Sequence, residues 1–478
     1  MLYSLQGELK QGTTMIRSIL LSLSLFLPPA VLAQDLSPRL MKIIKSYSVP
    51  QNQLGLAVIE LGKADTLAFG LNEKEDFIPA SITKIATASA VLRRLGPSFK
   101  FQTTLWTSGV IKDGKLTGDL VLKGGGDAGF VSESMWFLVN ELVRSKITKI
   151  EGDILVDDSD FDHIRADPSR DPERVDRAYD APAGAMSFNW NSINIFVRPT
   201  ENGQPARVYL DPSDGGFKID NHAKTVNKAG SAIEVSRAGQ RIVVRGRIGL
   251  DADEVVVYKN IDDPIDWSGR NLVFFLEQRG ISVLGKVKSG KKPQNAKLLA
   301  KADSKPVSQH VADMMKFSNN YVAEMLTKNL AAQNGKVPAT LEEGMKLVRA
   351  NMEHLGVDGK RFTLVNPSGL SRRNRIQPVD LATVLVRAQE DFPTFAEMLA
   401  SFPLAGTDGT LKNRMKNSPA QGWVRAKTGL LSGVVGLAGY AGRKDGSARA
   451  FAFIFNGKAE QGDLVRRLFD ALATELVQ

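Results

Sequence analysis

Cysteine is absent from the 478 residues, and histidine occurs only four times. Without cysteine the chain can form no disulfide, no thiolate nucleophile and no Cys-ligated zinc or iron–sulfur site. The histidines are far apart in the sequence and show no metal-ligand spacing; they are His163, His222, His310 and His354. We therefore expect no metal or other cofactor, and any covalent chemistry must use other residue types.

Apolar runs long enough to span a bilayer are lacking after the amino terminus. From Met15 the chain has one arginine, a short apolar stretch and then the small-residue signature Val31-Leu32-Ala33. This order is typical of a secretory signal. We predict that residues 1–33 are a signal peptide cut after Ala33 and that the mature protein is periplasmic. An uncleaved amino-terminal anchor is the alternative.

Acidic residues are fewer than basic ones, 52 against 62, which gives a net charge of +10. For an exported protein this excess favours contact with anionic cell-wall polymer or lipid headgroups, so we expect peripheral membrane or cell-wall association. The basic residues form only short clusters, such as 286–292 and 372–375, without interleaved aromatics. We expect no nucleic-acid partner.

Three short motifs follow one another along the chain: Ser81-Ile82-Thr83-Lys84, Ser318-Asn319-Asn320 and Lys427-Thr428-Gly429. Ser-x-x-Lys, Ser-x-Asn and Lys-Thr-Gly together make an acyl-transfer site without histidine, because a lysine amine accepts the nucleophile's proton. A second Ser-x-x-Lys match begins at Ser289, in a turn rich in lysine and glycine. Only the first three motifs combine the right order with the right local pattern, so we predict one active site.

The first motif begins a predicted helix, since apolar residues recur at helical spacing through 82–92. Residues three apart on a helix share a face, so the Lys84 amine reaches the Ser81 hydroxyl. The free N–H groups of the helix start, including that of Ser81, can hold an oxyanion. Lys84 is a useful base when neutral, and burial beside Lys427 as a second cation lowers its pKa.

The second motif lies between two predicted helices, 307–317 and 321–330. A hydroxyl at Ser318 can pass a proton to the leaving amine. The Asn320 amide can bond both a substrate peptide group and Lys84. Both residues are therefore candidates for the catalytic site.

The third motif follows the first of three predicted antiparallel strands, which are 423–427, 434–441 and 448–455. Gly429 lets the backbone approach the substrate, and the Leu430 N–H completes the oxyanion hole. Thr428 and Lys427 attract a substrate carboxylate. The motif is thus expected to line the cleft.

A long insertion separates the first two motifs, because the gap from Ser81 to Ser318 is more than twice that from Ser318 to Lys427. Strand-like runs dominate this insertion. They are 116–124, 150–157, 193–197, 206–209, 233–235 and 242–248.

From about Leu54 to the carboxyl terminus the sequence resembles the class C low-molecular-weight penicillin-binding proteins, the D-Ala-D-Ala carboxypeptidase/endopeptidase family of the penicillin-binding protein 4 type. Besides the motifs, the matching stretches are Gly118-Asp119-Leu120, Gly124-Gly125-Gly126-Asp127, Gly152-Asp153-Ile154, 366–372 and 403–411. The resemblance implies an α/β (α+β) fold, in which two smaller, mostly β domains interrupt a transpeptidase-like domain of antiparallel sheet and helices. The implied divisions are a catalytic domain at 34–98 and 304–478, domain II at 99–185 and 258–303, and domain III at 186–257.

The resemblance also implies a serine DD-peptidase that hydrolyses peptidoglycan stem peptides through a Ser81 acyl-enzyme and is inhibited by β-lactams.

The sequence departs from the family's pattern at two points. Leu430 replaces the usual Ser or Thr after Lys-Thr-Gly, and Asp171 or Asp176 is an unresolved choice for the acid that binds the stem peptide's amino end. Arg372 holds either a substrate carboxylate or a structural ion pair. The rival functions are a serine β-lactamase or esterase, and a wall-binding scaffold without turnover.

Overall fold

The computed structural model describes residues 36–62, 66–169, 178–212, 215–227 and 230–478, without the side chain of Tyr179. The predicted signal peptide, residues 1–33, lies outside the described residues, as do the candidate acids Asp171 and Asp176. Within the described ranges, no helix is both long and apolar enough to cross a membrane.

The first described elements are α1 (Leu36–Ser46), β1 (Leu54–Glu60), β2 (Leu67–Leu71) and α2 (Lys84–Leu95). β1 and β2 pair antiparallel, as the alternating apolar residues of 53–71 predict. The predicted helix is also present, but Ser81 lies in a 3₁₀ turn, Ala80–Thr83, that leads into α2. The Lys84 N–H bonds to the carbonyls of Ser81 and Ile82, so this tight turn places Ser81 just before the helix.

The insertion begins with a strand-rich stretch and one helix: β3 (Gln102–Thr107), β4 (Val110–Lys112), β5 (Lys115–Thr117), β6 (Leu120–Lys123), α3 (Ser132–Val143), β7 (Lys149–Ile150) and β8 (Ile154–Asp157). The predicted runs 116–124 and 150–157 are each two strands. Glycine breaks both: Gly118 has φ +130, and a side chain at Gly152 would collide with the Gly118 carbonyl.

The insertion continues with β9 (Ser192–Arg198), β10 (Arg207–Asp211), β11 (Lys218–Val226), β12 (Ser231–Ala238), β13 (Arg241–Gly249), β14 (Val255–Asn260), α4 (Pro264–Gln278), β15 (Ser282–Val283), β16 (Val287–Ser289) and β17 (Lys297–Asp303). The helices α3 and α4 were not among the predicted elements. Their aromatic and β-branched residues have the composition of strands. However, α3 buries Met135, Leu138 and Leu142 at helical spacing.

In the described part of the insertion the strands form four sheets, with strand orders β16-β8-β6-β3-β17, β15-β7-β5-β4, β10-β9-β14 and β11-β13-β12. The first two sheets use strands from both ends of the insertion, and the last two come from its middle. β14 pairs with β9 and runs across the predicted boundary between residues 257 and 258. The proposed division into domains stays a prediction.

The last part of the chain contains α5 (Val307–Lys316), α6 (Asn320–Gln333), α7 (Leu341–His354), α8 (Pro378–Glu390), α9 (Phe392–Ser401), β18 (Val424–Leu431), β19 (Val434–Gly442), β20 (Ala448–Asn456) and α10 (Gly462–Glu475). The three strands join the first pair in the order β18-β19-β20-β1-β2. This antiparallel sheet with helices confirms the predicted α+β class.

Helices cover both faces of this five-stranded sheet. In β20, Phe451, Phe453 and Phe455 pack on the side of α1 and α10, whereas Ala452 and Ile454 pack on the side of α2 and α5–α9. The alternation follows from the period of two along a strand. The sheet is therefore a rigid, doubly covered layer, and β18 lies at one of its edges.

Candidate active site

The three motifs meet in a cavity of about 330 Å³ beside the edge strand β18. Six of the predicted site residues line it: Ser81, Ser318, Asn320, Thr428, Gly429 and Leu430. Lys84 and Lys427 have no exposed surface and lie behind this lining. The wall also contains residues that the motifs did not indicate, which are Phe317, Leu370, Thr410, Arg414 and Arg466.

Ser81 and Lys84 are in hydrogen-bonding contact. Lys84 Nζ lies 3.1 Å from Ser81 Oγ, 2.7 Å from Asn320 Oδ1 and 2.5 Å from the Ser368 carbonyl oxygen. An ammonium has three hydrogens for these three acceptors. A neutral amine keeps two hydrogens for the two carbonyl oxygens, and its lone pair then faces the hydroxyl of Ser81. The geometry suits a lysine that takes a proton from this serine.

Asn320 is the first residue of α6 and connects Lys84 with the insertion. Its Nδ2 donates to Asp180 Oδ1 at 2.8 Å, while its Oδ1 accepts from Lys84. Asp180 is buried. Because a carboxylate only accepts, this bond fixes the orientation of the Asn320 amide. Asn319 caps α6 by accepting from the Val322 N–H at 3.2 Å, which holds the motif at the helix start.

Ser318 and Lys427 form a second hydroxyl–amine pair. Lys427 Nζ donates to Ser318 Oγ at 2.8 Å and to the Thr428 carbonyl oxygen at 2.8 Å. Complete burial lowers the pKa of the Lys427 ammonium to about 7. Ser318 has a φ of +56, a left-handed conformation that costs energy for a residue with a side chain. The turn between α5 and α6 thus holds the hydroxyl in a strained position beside the lysine.

The Gly429 backbone lies against the turn that contains Ser81. A Cβ at Gly429 would be 2.8 Å from the Pro79 carbonyl oxygen and 3.3 Å from Ala80 Cβ. Only glycine allows β18 this close approach. The next residue, Leu430, therefore has its backbone near the start of α2, and 59% of its side chain is exposed.

Hydroxyl and guanidinium groups are present on the side of the cavity formed by Thr428. Thr428 Oγ1 lies 2.9 Å from Thr410 Oγ1. Arg414 is held by Asp470, with its Nη2 2.7 Å from Oδ1 and its Nε 3.0 Å from the same oxygen. Arg466 is paired with Asp463. Both arginines line the cavity, and each guanidinium has more N–H donors than these pairs use.

Arg372, predicted as a substrate-binding residue, is exposed and is not among the residues that line this cavity. Its Nη2 donates to the Ser432 carbonyl oxygen at 2.6 Å. The contact ties the stretch 366–372 to the turn after β18. Its partner is a backbone carbonyl, whereas the alternatives from the sequence were a substrate carboxylate and an ion pair.

Some site residues had sequence signals and others had none. Ser368 and Thr410 fall in the stretches 366–372 and 403–411, which resemble the family, but neither residue had an assigned role. Arg414 and Arg466 lie outside these stretches. Asp180 is in the insertion and has no motif around it, so only the folded chain brings it to Asn320.

A serine hydroxyl bonded to a buried lysine, beside an antiparallel sheet covered by helices, is the arrangement of serine acyl-transfer enzymes. The fold and the site define this class. A family model, D-Ala-D-Ala carboxypeptidase 3 (S13), matches residues 33–476, and the chain belongs to that family. It is a serine-type D-Ala-D-Ala carboxypeptidase, a hydrolase.

Known proteins resemble the chain over most of its length. A D-alanyl-D-alanine carboxypeptidase of Actinomadura sp. (strain R39) is 32% identical and is matched over 89% of this chain and 81% of its own. The D-alanyl-D-alanine carboxypeptidase DacB of Haemophilus influenzae is 28% identical, over 96% and 95%. The resemblance to this family is thereby confirmed.

A solved structure has the same fold as this chain. Penicillin-binding protein 4 (DacB) from Haemophilus influenzae superposes with a TM-score of 0.75 at 26% identity, covering 91% of this chain and 99% of that one. The same protein, complexed with a novel β-lactam, has a TM-score of 0.73 at 25% identity, covering 92% and 99%. The fold expected from the sequence is confirmed over nearly the whole length.

Proposed function

We propose that Ser81 is the nucleophile of this DD-peptidase and that Lys84 is its general base. The observation that carries the proposal is the 3.1 Å contact between Lys84 Nζ and Ser81 Oγ, with the other two bonds of the amine made to carbonyl oxygens. Ser81 Oγ attacks the carbonyl carbon of the penultimate D-Ala and its proton passes to Lys84. Asn320 orients the Lys84 amine toward Ser81 by accepting its hydrogen bond, and its amide can also bond the substrate peptide.

The oxyanion of the tetrahedral intermediate is held by the N–H groups of Ser81 and Leu430. The close packing of Gly429 on Pro79 supports this assignment, because it holds the two backbones next to each other. When the C–N bond breaks, Ser318 passes a proton to the departing amine, and Lys427 replaces that proton. Water then attacks the ester carbonyl and gives a proton to the neutral Lys427 through Ser318, while Lys84 returns its proton to Ser81 Oγ as the C–O bond breaks, which restores the enzyme.

The substrate carboxylate is bound by Thr428, with Lys427 as the cation behind it. Leu430 offers no hydroxyl, so the second donor must come from elsewhere. Thr410 Oγ1, 2.9 Å from Thr428 Oγ1, and the guanidinium of Arg414 are the groups in the cavity wall that fit this role. Arg372 binds a more distant part of the stem peptide, at the turn where it now holds Ser432.

The substrate is the peptidoglycan stem peptide, cut as a terminal D-Ala-D-Ala or as a cross-link, and β-lactams acylate Ser81. We also propose export by the amino-terminal signal and a periplasmic location with peripheral attachment to the wall or membrane, as the sequence and the basic charge favour. Mass measurement of the exported chain tests the signal: a first residue of Gln34 supports it, and an intact amino terminus refutes it.

The decisive experiment is labelling of the mature chain with a fluorescent penicillin, followed by denaturing electrophoresis and peptide mass mapping. A persistent adduct on Ser81 that disappears in Ser81→Ala supports the acyl-enzyme. Ser289→Ala is the matched control, because Ser289 begins the other Ser-x-x-Lys match and is exposed in β16. Labelling elsewhere, or an active Ser81→Ala, refutes the nucleophile. Consumption of penicillin without an adduct indicates a β-lactamase.

A further inference from the structure

A cavity of about 730 Å³, larger than the one at Ser81, lies in the insertion between α3, α4 and β9. Trp190 and Phe274 form part of its wall, and Trp190 remains 40% exposed. Beneath them Phe275 packs edge-on against Phe188, with ring centroids 6.1 Å apart. The cavity therefore offers aromatic surface on a firm, buried support.

The backbone at Trp190 is strained in a way that packing must maintain. Three successive residues, Asn189, Trp190 and Asn191, have φ values of +48, +53 and +49. Such conformations persist only where the surroundings hold them, and they concentrate at functional sites. Here Asn189 exchanges two hydrogen bonds with Ser132, from the Ser132 N–H at 3.0 Å and to the Ser132 hydroxyl at 3.1 Å.

Asn191 fixes the other side of this turn. Its side chain has no exposed surface, and Nδ2 donates to the Pro182 carbonyl oxygen at 2.7 Å and to Ser187 Oγ at 2.8 Å. Asn189 and Asn191 thus hold the turn from both sides, and the indole of Trp190 between these two residues lines the cavity. The turn therefore presents to solvent the side chain of a residue type that is highly buried on average.

The polar groups of the cavity wall suit an uncharged, hydroxyl-rich ligand. Asn194, Gln278 and Glu133 provide amide and carboxylate groups, and no other described residue hydrogen-bonds their side chains. The charges of the wall are mixed, because Lys305 lines the same cavity as the acidic residues Glu133 and Asp211. The cavity is therefore not built for a polyanion. Sugar rings place apolar C–H faces on aromatic rings and their hydroxyl and acetamido groups on such side chains.

We infer that this cavity binds the glycan strand of peptidoglycan, and the inference rests on the proposed substrate. The segment from Asp180, bonded to Asn320 in the active site, to Trp190 contains ten peptide units. It can span at most about 36 Å. The separation of the cavity from the active site is therefore bounded, and a glycan strand held at Trp190 would keep its stem peptides within that range of Ser81, so the insertion would select polymer over free peptide.

The test compares Trp190→Ala with Trp136→Ala in the full mature chain. Trp136 is on α3, is 52% exposed and lies outside the cavity wall, so it is a matched control. Binding of peptide-free glycan strands is measured by calorimetry, and hydrolysis of a soluble D-Ala-D-Ala peptide is measured separately. We expect Trp190→Ala to weaken glycan binding about tenfold, with Trp190→Phe in between, while hydrolysis of the soluble peptide is unchanged.

Equal glycan binding by the wild type and Trp190→Ala would overturn the inference, as would an equal loss in Trp136→Ala. Displacement of the glycan by a free stem peptide would also overturn it, since the cavity would then be a peptide site. If Trp190→Ala does not fold, Gln278→Ala removes an exposed donor of the wall and must weaken binding as well. A wild type that binds glycan but does not cleave the peptide refutes the proposed function alone.

Discussion

At the scale of single residues, Lys427 is where burial has the clearest chemical consequence. The buried ammonium has a pKa of about 7, so in the free enzyme its positive charge is lost as the pH rises through that value. In the proposed mechanism this cation attracts the substrate carboxylate and protonates Ser318. We expect kcat/KM for a D-Ala-D-Ala peptide to fall about tenfold per pH unit above about 7.

The same lysine should behave differently once substrate is bound. A carboxylate beside Lys427 stabilises the ammonium and raises its pKa, so the alkaline limb of kcat should lie at higher pH than that of kcat/KM. Stopped-flow or steady-state rates between pH 5 and 10 measure both limbs. Coincident limbs, or a kcat/KM independent of pH across the range, would contradict this role for Lys427.

Leu430 gives a second prediction about a single residue. Its exposed side chain follows Lys427-Thr428-Gly429, where the family resemblance implies a Ser or Thr hydroxyl, and it lines the same cavity as the paired hydroxyls of Thr428 and Thr410. Leu430→Thr adds a donor for the substrate carboxylate and should raise kcat/KM about three- to tenfold, as one added hydrogen bond of about 1 kcal/mol would.

A substrate with a carboxyl-terminal amide is the control for this variant. It lacks the carboxylate, so the wild type and Leu430→Thr should cleave it equally. Thr410→Val should lower kcat/KM for the acid and leave the amide unaffected. Equal gains on the acid and the amide would show that Leu430 affects the site by shape and not by recognition of charge.

At the scale of elements, the separation of two residues along the chain decided whether their contact could be predicted. Ser81 and Lys84 are three residues apart, so a helix period alone brings them together. The positions of Lys427 and Gly429 follow from the predicted pairing of the strand that contains them with the next strand of the chain. Asp180 is 140 residues from Asn320, and the turn that carries it was not predictable from periodicity. The helices α3 and α4 were missed because their aromatic and β-branched residues resemble strand composition.

The short turn at Ala178–Asp180 therefore provides the prediction at this scale. Asp180→Ala frees the Asn320 amide to rotate and to present its Nδ2 group to Lys84, which would turn an acceptor into a donor. We expect acylation by a β-lactam to slow about ten- to a hundredfold. Asp180→Asn can still accept the hydrogen bond, so it should keep most of the rate.

Acylation rates come from stopped-flow measurement with a chromogenic β-lactam, and thermal unfolding of each variant shows whether the fold is kept. A loss of rate that is equal in the Ala and Asn variants would contradict a positioning role through hydrogen bonding. Unchanged rates in both variants would show that α6 orients Asn320 without the insertion.

At the scale of the whole molecule, a buried acid–imidazole pair, in addition to Asp180 and Asn320, connects the insertion to the catalytic region. Asp127, after β6, lies with its Oδ1 3.4 Å from His310 Nε2 on α5. Burial raises the pKa of Asp127 to about 7 and lowers that of His310 to about 4. Although the distance permits an ion pair, both shifts favour neutral forms, so we regard the pair as an uncharged contact between acid and imidazole.

The two groups oppose each other in the pH dependence of stability. Asp127 contributes stability that is complete below its ordinary pKa of 3.8 and is lost as the pH rises to about 7. His310 contributes stability that is complete above 6.5 and is lost as the pH falls to about 4. Between pH 4 and 6.5 these trends cancel, and the wild type should show a nearly constant contribution from the pair.

Asp127→Asn removes one side of this balance. Asparagine still accepts from the Gly129 N–H, as Asp127 does at 2.8 Å, but it cannot ionise. The remaining His310 should make the variant's stability rise with pH from 4 to 6.5. Relative to the wild type, the free energy of unfolding of the variant should increase by up to about 4 kcal/mol between pH 4 and 8, since a shift of one pKa unit corresponds to about 1.4 kcal/mol.

Melting temperatures measured across that pH range test this difference. The proteins compared are the wild type, Asp127→Asn and the exposed control Asp251→Asn. Parallel curves for all three would mean that Asp127 keeps its ordinary pKa in the folded protein, so that burial does not favour its neutral form.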